Sequence, residues 1–79
     1  MTSQMPLTLA GPGEKVTVVG IKAGHGLAQR LADMGLNQGV TLKIISSQMP
    51  GPVLIDLRGS RLALGAGVAH KIMVARSDA

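Results

Sequence analysis

His25 and His70 are the side chains of this sequence best suited to hold a metal ion or pass a proton, and they lie in two separate breaks with no carboxylate near either in sequence. Two imidazoles fall short of the three or four protein ligands that transition-metal sites use, so the candidate metal set stops at His25 and His70. The carboxylates are Glu14, Asp33, Asp56 and Asp78, and no two are spaced as a pair for general acid–base work. Ser46, Ser47, Ser60 and Ser77 have no base beside them to activate a hydroxyl. Gly24-His25-Gly26 could turn backbone N–H groups toward an anion, but the longer glycine patterns of nucleotide loops are absent. No cofactor site emerges, and the expectation is a binding protein and not an enzyme.

The elements that carry these residues begin with a start at 1–6 that reads as frayed. Leu7 and Leu9 precede Gly11-Pro12-Gly13 and are expected to lay two leucines across one end of the core. The first strand is Lys15 to Ile21, where the alternation of Val16 and Val18 slips at Val19-Gly20-Ile21, the pattern of a β-bulge or tight barrel bend. Leu27, Leu31 and Met34 then fall at i, i+4 and i+7, on one face of a helix, with Gln29, Arg30 and Asp33 on the other. This helix has roughly nine residues, below the ~12–15 at which an isolated helix is even marginal, so the sheet must support it. Gly35 suits the left-handed position that stops a helix, with Leu36 reaching back to Leu31. Asp33 in the last turn opposes the helix dipole.

Asn37-Gln38-Gly39 turns the chain into a strand from Val40 to Ile45 with its even positions inward, and Met49-Pro50-Gly51-Pro52 is a loop. Val53 to Leu57 and Arg61 to Leu64 form a hairpin, for which Gly59-Ser60 fits a two-residue type II′ turn. That turn pairs Leu57 with Leu62 and Ile55 with Leu64 inside. It sets Arg58 against Arg61 outside, with Asp56 and solvent relieving the repulsion. Residues 65–70 read as one helical turn, Lys71 to Ala75 as the closing strand with Ile72 and Val74 inward, and 77–79 as a frayed end. The fold class is all-β: a small SH3-like, partly open barrel of about five strands over residues 7–76, with one short α-helix after the first strand.

Composition agrees with a single domain. The 79 residues contain no Cys, Phe, Tyr or Trp, so the core is aliphatic and has neither disulfide nor thiolate to staple it. No apolar run approaches the ~20 residues of a membrane span, and no basic segment followed by an apolar stretch opens the chain. A cytoplasmic location is expected. The formal charge is +4, but the eight lysines and arginines are dispersed as a solvated surface would have them.

Two surfaces are candidates for a partner. The first is the outer side of the helix and its exit, Gln29, Arg30, Asp33 and Gln38. The second is a set of apolar residues out of phase with their strands, Val19, Ile45, Leu54 and Met73, which would form a contact or self-association patch if displayed together.

Laid out in this way, the chain resembles the FeoA family, the small ferrous iron transport protein A, whose domain also occurs in metal-responsive transcriptional regulators. The resemblance runs from Leu7 to Val74. It rests on Leu7 and Gly13, Gly24 and Gly26, Arg30-Leu31, Met34-Gly35-Leu36 and Gly39, then Gly51-Pro52-Val53, Leu64-Gly65, Ala69 and Ile72. It implies an SH3-like barrel that works beside FeoB, a membrane transporter of Fe(II) with a cytoplasmic GTP-binding domain, as its accessory or regulator. It also implies transition-metal binding, for which this cysteine-free, carboxylate-poor sequence offers no obvious site.

Two other readings of the residues stay open. Pro12-Gly13-Glu14-Lys15-Val16 with Val18 and Gly20 loosely resembles the opening of ribosomal KOW segments, which suggests a basic barrel that binds nucleic acid. Missing aromatics count against it, since single strands are commonly gripped by stacking. The other is a transition-metal-sensing domain built on His25 and His70.

Overall fold

The computed structural model describes residues 4–48 and 51–77 of the chain. Six strands, β1 (Gln4–Pro6), β2 (Lys15–Ile21), β3 (Thr41–Ser47), β4 (Val53–Leu57), β5 (Ser60–Leu64) and β6 (Ile72–Arg76), form one antiparallel sheet in the order β1-β6-β2-β3-β4-β5. The sheet is curled but not closed, as expected of a partly open SH3-like barrel. A 3₁₀ turn (Leu7–Leu9) and two short helices, α1 (His25–Asp33) and α2 (Ala66–His70), complete the fold.

The period of two decides which side chains are inside. Val16 and Val18, Leu42 and Ile44, Val53, Ile55 and Leu57, then Ile72 and Val74 are all buried, and Leu7, Leu31, Leu36, Leu64 and Ala69 close the same core. Each fully buried aliphatic side chain contributes about 1.5–3 kcal/mol relative to exposure. No other source of stability of that size is visible among the described residues.

The irregularity expected in β2 is a bulge, and β3 carries a second that was not expected. β2 pairs Val18 with Val74 but Gly20 with Met73, leaving Val19 as the extra residue. β3 pairs Ile44 with Ile55 but Ser46 with Leu54, leaving Ile45 extra. An extra residue bends its strand and raises local twist, so the two out-of-phase residues mark where the sheet curls.

Five expectations need correction. Gln4–Pro6 does not fray but pairs with β6, Gln4 with Ala75, Met5 with Val74 and Pro6 with Met73. Such a strand has no pattern of its own, and proline is tolerated because it lies at the sheet edge. Residues 1–3 and 78–79 lie outside the described residues, as do Met49 and Pro50 of the expected loop. Ser77, expected in the frayed end, has its N–H on the carbonyl of Lys15 at 3.0 Å.

Leu9 does not join Leu7 in the core: Leu7 is fully buried and Leu9 is 68% exposed. A 3₁₀ helix has three residues per turn, so positions two apart diverge, whereas an extended strand would have kept them on one face. Met34, expected to pack with Leu27 and Leu31, is likewise 43% exposed: its backbone is still helical as the C-cap of α1 (φ −83°, ψ −3°), but the face it shares with Leu31 is only partly covered at the helix end.

The hairpin differs in register by two residues. β4 and β5 pair Leu57 with Ser60, Asp56 with Arg61, Ile55 with Leu62 and Val53 with Leu64. The turn is therefore Arg58-Gly59, with φ of 53° and 88°, the pair of positive values that defines type I′. Asp56 faces Arg61, so the expected opposition of Arg58 and Arg61 does not arise. The Asp56 carboxylate also accepts the Gly59 N–H at 2.8 Å, a local bond that favours this turn over the alternative.

Candidate functional site

α1 is too short to stand alone, and Leu31, buried to 2% exposure, is its anchor. Gly24 occupies its N-cap without a side-chain capping bond. Its exit is tightly specified. The Gly35 N–H donates to the Ala32 carbonyl and the Leu36 N–H to the Leu31 carbonyl, both at 2.9 Å, which is the bond pair of a Schellman stop. Gly35 has φ 95°, and Leu36 is fully buried beside Leu31 in the core.

The chain that follows is pinned to β2. Gly39 N–H donates to the Val18 carbonyl at 2.7 Å, and Val18 N–H donates to the Val40 carbonyl at 2.8 Å. Gln29, Arg30, Asp33 and Gln38 are consequently all exposed on one continuous piece of well-supported backbone. Gln29 Nε2 donates to Asp33 Oδ1 at 3.0 Å, an i,i+4 bond that holds the carboxylate at the unfavourable end of the helix dipole.

Beside this exit lies a depression of about 440 Å³ that the sequence reading missed. Met34, Gly35 and Val40 line one side, and Leu57, Arg58 and Leu62 of the hairpin line the other. Its signal was present in Met34, an apolar residue just before a helix-stopping glycine. It was hidden because the helical spacing assigned Met34 to the core.

The other candidate residues are not gathered into one patch. Val19 sits beside Met73 through the Gly20–Met73 pairing, and Ile45 beside Leu54 through the Ser46–Leu54 pairing. The two pairs lie at opposite ends of the β2–β3 ladder, and all four residues are half-buried. Among the described residues the exposed large apolar side chains are Leu9 and Met34 instead.

His25 opens α1 and His70 closes α2, both exposed. A bond from Lys22 N–H to the Lys71 carbonyl at 2.7 Å brings their two segments to the same end of the sheet. No group of three or more His, Cys, Asp or Glu that could hold a metal is present among the described residues. His25 and His70 alone fall short of the three or four protein ligands that such a site uses. No described helix is long and apolar enough to cross a membrane.

The architecture defines the class of the molecule: an open SH3-like β-barrel, with a depression beside the exit of its first helix. The chain belongs to the FeoA domain family, whose model matches residues 5–76. It is 52% identical over 69 residues to "Putative Fe(2+) transport protein A" of Methanocaldococcus jannaschii, covering 87% of this chain and 83% of that protein. Its fold is similar to the crystal structure of an iron uptake regulatory protein (FeoA), with a TM-score of 0.88 and 40% identity over 95% of this chain and all of the other. A manganese-dependent transcriptional repressor shares the fold with a TM-score of 0.87 at 19% identity, over 98% of this chain and 44% of that one.

Proposed function

We propose that the chain is a non-enzymatic, cytoplasmic accessory of ferrous iron uptake, docking through Gln29, Arg30, Asp33 and Gln38 on the cytoplasmic GTP-binding part of a FeoB-type transporter. Membership of the FeoA family and the 52% identity to a protein named for Fe(2+) transport support the iron-transport role. The observation that carries the docking surface is the Schellman exit of α1. It holds exposed donors and acceptors on backbone fixed by Leu31, Leu36 and the β2 bonds, and preorganised groups lose less entropy on binding than mobile ones. Fe(II) is on this reading the transporter's cargo and not a ligand of this chain.

The apolar residues Val19, Ile45, Leu54 and Met73 are a weaker surface on this reading, since the register separates them. Nucleic-acid binding is weaker still, because a chain without Phe, Tyr or Trp lacks the side chains on which bases most commonly stack. The test is titration of the isotope-labelled chain with the transporter's cytoplasmic domain. Shifts should concentrate on residues 29–38, and Arg30→Glu should weaken the interaction about tenfold or more. Lack of association with full-length transporter in detergent at high micromolar concentration would sink the proposal.

A further inference from the structure

We propose that the free edge of β5 accepts an extended segment of another protein, alternating acidic and apolar residues, as a seventh strand of the sheet. This goes beyond the docking surface on α1 and does not depend on it.

The edge follows from the turn. β5 is the last strand in the sheet order. A two-residue type I′ loop makes Leu57 and Ser60 the closing hydrogen-bonded pair, and bonding then alternates along the antiparallel ladder. Leu62 and Leu64 thus bond inward to β4, while Arg61 and Ala63 turn their N–H and C=O groups away from it. Among the described residues, neither makes a backbone bond outside its own strand pair. The other edge of the sheet, β1, has three residues and ends in Pro6, so it offers far less ladder. β5 has five residues, none of them proline.

Side chains on this edge define what can pair with it. In an added strand, a residue opposite Leu62 faces the same way as Leu62, which lines the depression with Leu57, Val40 and Met34. That position calls for an apolar side chain. Residues opposite Arg61 and Ala63 fall on the outer face, where the register sets Lys15, Lys43, Asp56 and Arg61 in one row across the sheet. Three of those four are cationic, and one carboxylate oxygen of Asp56 is already occupied by the Gly59 N–H. An added carboxylate beside Arg61 complements that row, and the small, exposed Ala63 leaves room for it.

A second copy is the poorer occupant. Pairing of β5 with β5 would gather Arg58 and Arg61 of both copies along one short ladder, and charged residues on an edge oppose such pairing. Strand addition by a peptide uses the backbone for affinity and alternate side chains for specificity.

The test uses the isotope-labelled full chain and a short blocked peptide alternating Glu and Val. Binding should slow amide exchange at Arg61 and Ala63 by about tenfold or more and shift Leu62 and Met34. Ala63→Pro removes an outward N–H without removing a bond to β4, so it should abolish binding while the thermal midpoint is retained. Arg61→Glu keeps the test independent of that variant's folding: it should lose the Glu/Val peptide and gain its Lys/Val counterpart. The proposal is overturned by any of four results: no binding at millimolar peptide, shifts confined to α1, affinity indifferent to the charge at position 61, or protection of Arg61 and Ala63 in the free chain through dimerisation. Protection of the same amides by an oligonucleotide but not by the peptide would overturn it equally.

Discussion

Gly35 faces Leu57 so closely that a β-carbon built on it would lie 3.2 Å from Leu57 Cδ2. The same glycine has φ 95°, so replacement carries two separate costs, one conformational and one steric. Gly39 has φ 93° but nothing within 4 Å of a built β-carbon, and it isolates the first. Gly39→Ala should cost about 1–2 kcal/mol for the left-handed backbone, and Gly35→Ala should cost more. Urea unfolding with unchanged m-values measures both. Equal losses would mean that Leu57 yields freely and that the helix exit is not locked against the hairpin.

Arg58 is the non-glycine residue with positive φ among those described, in a turn whose first central position favours Asn or Asp. Arg58→Asn should stabilise the protein by about 0.5–1 kcal/mol. Asp56→Ala should destabilise it by about 0.5–1.5 kcal/mol, through loss of the bond to Gly59 N–H. For a chain of this size each kcal/mol moves the thermal midpoint by roughly 4–8 °C, within reach of a circular-dichroism melt. A midpoint lowered by Arg58→Asn would show that the arginine's conformation is compensated by contacts of its side chain.

What was legible in the sequence follows the reach of the interactions involved. The first bulge, the Schellman stop and the buried strand positions are local consequences of glycine placement and a period of two, and Val16, Val18, Gly35 and Leu36 carried them. β1 was not legible, because Gln4-Met5-Pro6 becomes a strand only by pairing with residues at the far end of the chain. The hairpin register is not legible because Gly59 serves equally as first residue of a II′ turn or second of a I′ turn. The Asp56 side-chain bond that distinguishes them depends on three-dimensional geometry. Of the candidate site, the exposed helix residues were legible from spacing. The depression was not, since it requires the hairpin and the helix exit to be brought side by side.

Val19 and Ile45 lie beyond opposite ends of the β2–β3 pairing, and the four steps from Lys15 to Val19 alone span roughly 13 Å at the rise of a strand. Val19→Asp and Ile45→Asp should each cost about 0.5–3 kcal/mol as half-buried replacements. The double variant should equal their sum within about 0.5 kcal/mol, as distant sites do. A coupling clearly above that would restore the single apolar patch that the register argues against.

Leu36 keeps the packing role expected of it and Met34, which helical spacing also placed in the core, does not, and truncation separates the two. Leu36 is fully buried, so Leu36→Ala opens a cavity and should cost about 2–5 kcal/mol. That is a large part of the ~5–15 kcal/mol that holds a typical domain together. Met34 is 43% exposed, and Met34→Ala should change stability by less than about 0.5 kcal/mol. The depression that Met34 lines would nevertheless lose part of its apolar wall, so a peptide bound along β5 should dissociate faster from this variant. Chemical denaturation gives the first comparison and peptide titration the second. If Met34→Ala instead destabilised the fold as much as Leu36→Ala, the Met34 side chain would be buried in solution, and the depression that it lines would have to be redrawn.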